Sequence, residues 1–136
     1  MMFAPSPFVP ILVCHEPVNF RFGIDGLISH ARNVLERDPM DGAIFVFRNR
    51  PGTSVRILFY VEDGWWLCTK RFSQGRLQAW PDRDSSSATK LATIAARDLG
   101  VLLWKGRPTG AQFPPFWKKL PSGLDDASRN DDPPAK

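Results

Sequence analysis

Residues 55–72 read Val55-Arg56-Ile57-Leu58-Phe59-Tyr60-Val61-Glu62-Asp63-Gly64-Trp65-Trp66-Leu67-Cys68-Thr69-Lys70-Arg71-Phe72. Two β-branched and aromatic runs flank Asp63-Gly64, a dipeptide that accepts the positive φ of a tight hairpin turn. The stretch predicts two antiparallel strands, residues 55–61 and 65–72. Upstream, Ala43-Ile44-Phe45-Val46-Phe47 is a third run of the same kind, set off by a turn at Pro51-Gly52. Downstream, Ser73-Gln74-Gly75 predicts a three-residue loop with Gly75 at positive φ. A fourth strand, residues 76–80, follows and stops at Pro81. The result is a four-strand antiparallel meander, with the apolar run at residues 9–14 as candidate fifth strand.

Helical periodicity brackets this sheet. Ile24, Leu27, Ile28, Ala31 and Leu35 form one apolar stripe, with His30, Arg32, Asn33, Glu36 and Arg37 on the polar side. Pro39 disfavours helical geometry at Asp38, so the helix is expected to end there. A second helix is predicted from a Ser87 cap through Leu91, Ile94, Ala95, Leu99, Leu102 and Leu103, ending at Gly106 with Pro108 just beyond. The fold class is therefore α+β, a four- to five-stranded antiparallel meander sheet packed against two amphipathic helices. Residues 1–121 are expected to form one domain with extended Pro-rich N- and C-terminal arms. Residues 122–136, polar and Asp-rich, are expected to be a disordered acidic tail.

The 136 residues allow one domain, and 43% apolar with 24% charged residues is an ordinary globular balance. No run approaches the length of a membrane span, and the N-terminus lacks the basic and apolar regions of a secretory signal. The net charge of +4 is unevenly spread. Residues 1–42 carry 3 basic and 5 acidic side chains, residues 43–120 carry 13 and 5, and residues 121–136 carry 2 and 4. Cys14 and Cys68 are too few for a disulfide framework and read as two buried thiols in a reducing cytoplasm.

Hairpin geometry assigns faces. A two-residue turn at Asp63-Gly64 sets Tyr60 opposite Leu67, Leu58 opposite Thr69 and Arg56 opposite Arg71. A five-residue loop, residues 50–54, sets Arg48 opposite Arg56. Arg48, Arg56 and Arg71 then form a row across three strands, with Phe45, Phe47, Ile57, Phe59, Val61, Trp66 and Cys68 on the other face as the seat for the helices. Directly opposed like charges repel, so such a row calls for an anion across it or for local carboxylates and solvation. Phosphate backbone is the commonest large anionic partner. Arg48, Arg50, Arg56, Lys70, Arg71 and Arg76 are accordingly the candidate nucleic-acid contacts. Tyr60, Trp65, Phe113, Phe116 and Trp117 are the candidate docking aromatics, since exposed aromatics mark interfaces.

Catalytic patterns are missing. There is no phosphate-cradling Gly-rich loop, and the acids of the folded part are scattered through turns, unlike a Mg²⁺ or Mn²⁺ nuclease site. Gly23-Ile24-Asp25-Gly26 matches the GxxG of KH domains, but that loop joins two helices and here a strand and turn precede it. His30 reads as solvated and Arg21 with Asp25 as a helix-start ion pair. Cys14, His15, His30 and Cys68 lack the short spacing of metal ligands. A non-enzymatic protein with no cofactor and no metal is expected.

Taken in order, several blocks resemble one known family. Arg21-Phe22-Gly23-Ile24-Asp25-Gly26-Leu27 is similar to the Arg-Lys-Gly-x-Asp-Gly-Leu segment of TnpB-type accessory proteins of bacterial insertion sequences, encoded beside a DDE transposase. These are unrelated to the RNA-guided nuclease of that name. Asp38-Pro39-Met40-Asp41-Gly42, Phe45-Val46-Phe47-Arg48-Asn49-Arg50, Gly64-Trp65-Trp66-Leu67, Lys70-Arg71-Phe72, Gly75-Arg76 and Trp80-Pro81 follow in that family's order and spacing. Asn19, Phe22 and Arg56 depart from its usual Asp, Lys and Lys. The resemblance marks Arg21, Gly23, Asp25 and Gly26 as family-motif residues and implies a role assisting transposition, with no catalytic residue to carry over. Two readings stand: a module binding DNA, either transposon ends or any sequence, and an adaptor docking on the transposase or on itself. Both place the protein in the cytoplasm.

Overall fold

Ile11-Leu12-Val13-Cys14 and Ile44-Phe45-Val46-Phe47 are apolar at every position, the pattern of strands covered on both faces. The computed structural model describes residues 9–81, 90–104 and 117–120, and both runs are fully buried in it, as strands β1 (Ile11–Cys14) and β2 (Ile44–Arg48). They pair in parallel, Ile11 beside Ile44 and Val13 beside Val46. A parallel pair needs a crossover connection, and helix α1 (Gly23–Asn33) lies within it.

Strands β3 (Ser54–Val61) and β4 (Gly64–Arg71) extend the sheet antiparallel on the β2 side. Strand β6 (Leu91–Ile94) pairs antiparallel with β1, after β5 (Ala79–Pro81) has left the sheet. The order is β4-β3-β2-β1-β6. β5 instead pairs with β7 (Trp117–Lys119) in a separate two-stranded sheet. The chain is thus α+β with a mixed five-stranded sheet, and the expected purely antiparallel meander holds only for β2, β3 and β4.

Both faces are covered, whereas the sequence predicted one. On one face, Leu27 and Ala31 of α1, with Leu35 beyond it, pack on Leu12, Cys14, Phe45, Phe47 and Leu58. On the other, Leu99 and Leu102 of helix α2 (Ala96–Leu103), with Leu77, Trp80 and Trp117, pack on Val13, Val46, Val55 and Ile57. The predicted second helix is shorter than expected because Leu91 and Ile94 belong to β6. The α2 helix begins after Ala95, whose backbone N–H donates to the Asp98 carboxylate at 3.3 Å. Helix α1 also ends early, at Asn33, and the chain turns at Glu36 with φ 57°.

Register corrects the arginine row. Asn49 Oδ1 accepts from the backbone N–H groups of Thr53 (2.9 Å) and Ser54 (3.1 Å), and its Nδ2 donates to Thr53 Oγ1 at 3.0 Å. Asn49 N–H donates to the Ser54 carbonyl at 3.2 Å, so the loop closes one residue shorter than predicted. Arg48 therefore sits opposite Val55, and Phe47 opposite Arg56. A one-residue slip exchanges the faces of a strand. Arg48 moves to the α2 side, while Phe45 and Phe47 join Arg56 under α1. At the second hairpin Val61 pairs with Gly64, making Glu62-Asp63 the turn, with Glu62 at φ 56°. Every β4 partner shifts by two, to Tyr60 with Trp65 and Arg56 with Thr69, which preserves faces. Gly75 has the predicted positive φ, 75°. Both Pro-rich arms, apart from Val9, Pro10, Pro17 and residues 117–120, lie outside the described residues, as do the Gly106 stop and the acidic tail.

Candidate nucleic-acid interface

The six predicted basic contacts divide into separate settings. Arg56, half-buried, is consumed locally: Nη1 donates to the Phe20 carbonyl at 2.8 Å, Nε donates to Thr69 Oγ1 at 3.2 Å, and the guanidinium lies 4.5 Å from the Phe20 ring centre. It pins the 3₁₀ turn Phe20–Phe22 onto the sheet. Arg50 is exposed in the β2–β3 loop, and Arg76 is half-buried after the loop that follows β4.

Lys70 and Arg71 end β4, an edge strand whose outer side is unpaired among the described residues. With Phe72, Ser73, Gly100, Leu103 and Trp104 they line a groove of about 450 Å³ between β4 and the end of α2. Lys70 Nζ donates to the Leu103 carbonyl, a cation on the carbonyl-rich end of a helix, and lies 5.7 Å from the Phe72 ring centre. Arg71 is exposed and without a hydrogen bond or ion pair among the described residues. Trp104, just past α2, is 65% exposed, so a broad aromatic surface stands beside two cations. That combination suits a nucleic-acid strand, with phosphates at the cations and a base stacked on the indole. The sequence did not mark Trp104, because it falls just beyond the Leu99-Leu102-Leu103 stripe; its signal was that it continues the helix off the apolar side.

Arg48 lies elsewhere, in the seam between the two sheets. His15, Glu16, Trp80, Pro81, Lys118 and Leu120 join it around a cavity of about 180 Å³. Its Nη2 is 3.5 Å from the His15 carbonyl, its guanidinium 5.6 Å from the Trp80 ring centre, and its Nε is buried with no hydrogen-bond partner among the described residues. Burial pushes its pKa below the ordinary arginine range, partly countered by Glu16. The walls are fixed: Trp80 Nε1 donates to the Cys14 carbonyl at 2.9 Å, and His15 Nδ1 donates to the Pro81 carbonyl at 3.2 Å.

His30 is half-buried, not solvated as its helix position implied, with the Phe22 and Phe47 rings 6.2 and 6.3 Å away. Burial first, and Lys90 second, hold its pKa below the usual histidine value. Cys14 is buried, which raises its thiol pKa to about 11, but Cys68 is exposed, against the expectation of two buried thiols. Among the described residues no group of three or more His, Cys, Asp or Glu side chains could hold a metal ion.

The predicted docking aromatics also separate. Tyr60 and Trp65 meet edge-to-face at 4.9 Å, partly buried on the α1 side. Trp117 is 7% exposed and packs in the core with Leu77, Trp80, Leu99 and Leu102, so it is no free docking side chain. Phe113 and Phe116 lie outside the described residues. Trp66, which the sequence did not select for docking, is 48% exposed and stacks on Phe59.

The family-motif residues build the approach to α1. Gly23 adopts φ 71° between the 3₁₀ turn and the helix, a conformation that favours glycine. At Gly26 an added Cβ would come within 2.7 Å of Phe22 Cβ. Asp25 is exposed in the first helical turn, where a carboxylate favours the helix dipole, and Arg21 is exposed with its backbone N–H on Asn19 Oδ1 at 2.9 Å.

The chain is α+β, with a mixed five-stranded sheet covered on both faces and a cationic aromatic groove at one edge. It belongs to the family described as IS66 Orf2 like protein, which matches residues 9–107, and is therefore a transposition accessory protein of the insertion-sequence type. Two proteins of Sinorhizobium fredii (strain NBRC 101917 / NGR234) are similar. The uncharacterized protein y4jC is 34% identical over 85 residues, 62% of this chain and 73% of its own length. The uncharacterized protein y4hO is 33% identical over 79 residues, 58% and 68% respectively. No solved structure matches. Among the described residues no helix is long and apolar enough to cross a membrane.

Proposed function

We propose that this accessory protein acts without catalysis, in the bacterial cytoplasm, by binding DNA through the groove between the end of β4 and the end of α2. One observation carries the reading: exposed Trp104 shares a cavity with Lys70 and Arg71. Arg71 supplies an uncommitted charge for a phosphate, and Trp104 a stacking surface that tolerates any base. Arg50 is a further exposed cation, in the β2–β3 loop, while Arg56 serves the fold.

The test is fluorescence anisotropy of labelled single-stranded and duplex DNA with the full chain across a salt series. Binding is expected to weaken steeply with salt, and Arg71→Gln to flatten the slope by about one counterion. Trp104→Ala is expected to cost about 1–3 kcal/mol on single strands, the worth of one base stack. Absence of binding to either DNA at low salt overturns the proposal.

A second reading, docking on the transposase of the same element, is favoured by the β3–β4 hairpin. Val61 and Trp66 leave exposed apolar surface there, next to a strand edge unpaired among the described residues. Retention of the chain by immobilised transposase, lost with Trp66→Ser, is its expected signature.

A further inference from the structure

The groove leaves Arg48 unexplained. A guanidinium carries five N–H donors, and buried donors are almost always paired. Among the described residues Nε has no partner, and the Nη2 contact with the His15 carbonyl, at 3.5 Å, exceeds the usual hydrogen-bond range. Arg48 lines a cavity of about 180 Å³, roomy enough for several waters or one tetrahedral oxyanion. Lys118 approaches the same cavity from β7 with an exposed side chain. Among the described residues Glu16 is its one acidic wall residue, also exposed, and forms no ion pair with Arg48.

We infer that this seam cavity is a phosphoryl-group site, with Arg48 as the interior ligand and Lys118 as the rim ligand. Three oxygens pointing in different directions can meet an interior guanidinium and a rim ammonium together, which the two coplanar oxygens of a carboxylate do less well. The Trp80 indole, fixed by its bond to the Cys14 carbonyl, backs the guanidinium and limits its rotation. Among the described residues, two cations against one carboxylate line the cavity. The site is separate from the groove in its residues, so neither depends on the other. Its phosphoryl group comes from a DNA backbone or from a terminal or free phosphate.

The experiment follows the Arg Nε–H resonances of the ¹⁵N-labelled full chain by NMR, with Arg48 assigned through Arg48→Lys. Inorganic phosphate is titrated against chloride at constant ionic strength. A saturable shift of the Arg48 Nε–H signal with phosphate, and none with chloride, is expected. Lys118→Met, at an exposed position, is expected to weaken the phosphate affinity several-fold with the Arg48 signal still present. Glu16→Gln is expected to strengthen it, and Trp104→Ala to leave it unchanged. A parallel titration uses one oligonucleotide with and without a 5′-phosphate. A shift by both forms assigns the backbone as source, and a shift by the phosphorylated form alone assigns the terminal group. No saturable response to phosphate or to either oligonucleotide overturns the site, as does wild-type phosphate affinity in Lys118→Met.

Discussion

Replacing Arg56 by methionine separates a charge that holds the fold from a charge that holds a ligand. Methionine keeps most of the apolar stem and deletes the guanidinium. Lost with it are the 2.8 Å bond to the Phe20 carbonyl, the 3.2 Å bond to Thr69 Oγ1 and the contact with the Phe20 ring. A charge-assisted bond at a half-buried site contributes about 1.5 kcal/mol, the bond to the exposed Thr69 about 0.5, and the cation–π contact about 0.5–1. The expected cost is about 2–3 kcal/mol, since Arg56 hydrogen-bonds the turn before α1 to β3. Urea denaturation followed by tryptophan fluorescence measures it as a lower midpoint at unchanged slope. Under folding conditions the salt dependence of DNA binding is expected to match that of the parent. Arg71→Met reverses both results, with stability within about 0.5 kcal/mol and a salt slope smaller by about one. A stable Arg56→Met variant that has lost a unit of salt slope refutes the division of roles.

Three further outcomes follow from the buried groups. His30 titrates lower in the fold than in the unfolded chain, so below about pH 6.5 the unfolded state takes up more protons. Stability is therefore expected to fall on acidification from pH 7 through that window, until the folded histidine also protonates, and His30→Gln is expected to flatten this component of a pH series of urea melts. Gly26→Ala places a methyl 2.7 Å from Phe22 Cβ and is expected to destabilise by about 1–3 kcal/mol, read as a lower thermal midpoint. An alkylating reagent near pH 8 is expected to label the native chain once, at exposed Cys68, with Cys14 reacting only on unfolding; Cys68→Ser is expected to abolish native labelling in mass spectra.

Much of the fold was legible locally. The stripe from Ile24 to Ala31, the two runs of the β3–β4 hairpin and the positive φ of Gly75 report short-range geometry, and the structure contains them, with the hairpin turn one residue earlier than Asp63-Gly64. The hairpin expected at residues 73–75 does not form, because the chain leaves β4 for a separate sheet. Pairing was less legible, because the strand next to β1 is decided by packing and not by neighbours in sequence. The unbroken apolar runs of β1 and β2 did carry the clue that both faces are covered. Leu91 and Ile94, three apart, satisfy a helix and a strand end equally, and only the β1 edge selects the strand. The site suffered most from a single side chain: Asn49 shortens one loop by one residue, and that moves Arg48 to the opposite face of the sheet. Trp117, expected to dock, lies in the core, and Trp104, given no role by the sequence, is exposed, because aromatic content alone does not distinguish a surface from a core.

The place of β6 bears on gene integrity. It pairs along the outer side of β1, from Ile11 with Ile94 to Cys14 with Leu91, and so closes a strand that is apolar on both faces. A copy of the gene interrupted before codon 91 would still encode α1 and the β2–β4 hairpins. Its β1 would become an open apolar edge, a template for pairing with other chains. Such a fragment is expected to accumulate as aggregate, making decay of this reading frame an abrupt loss of usable protein rather than a gradual one.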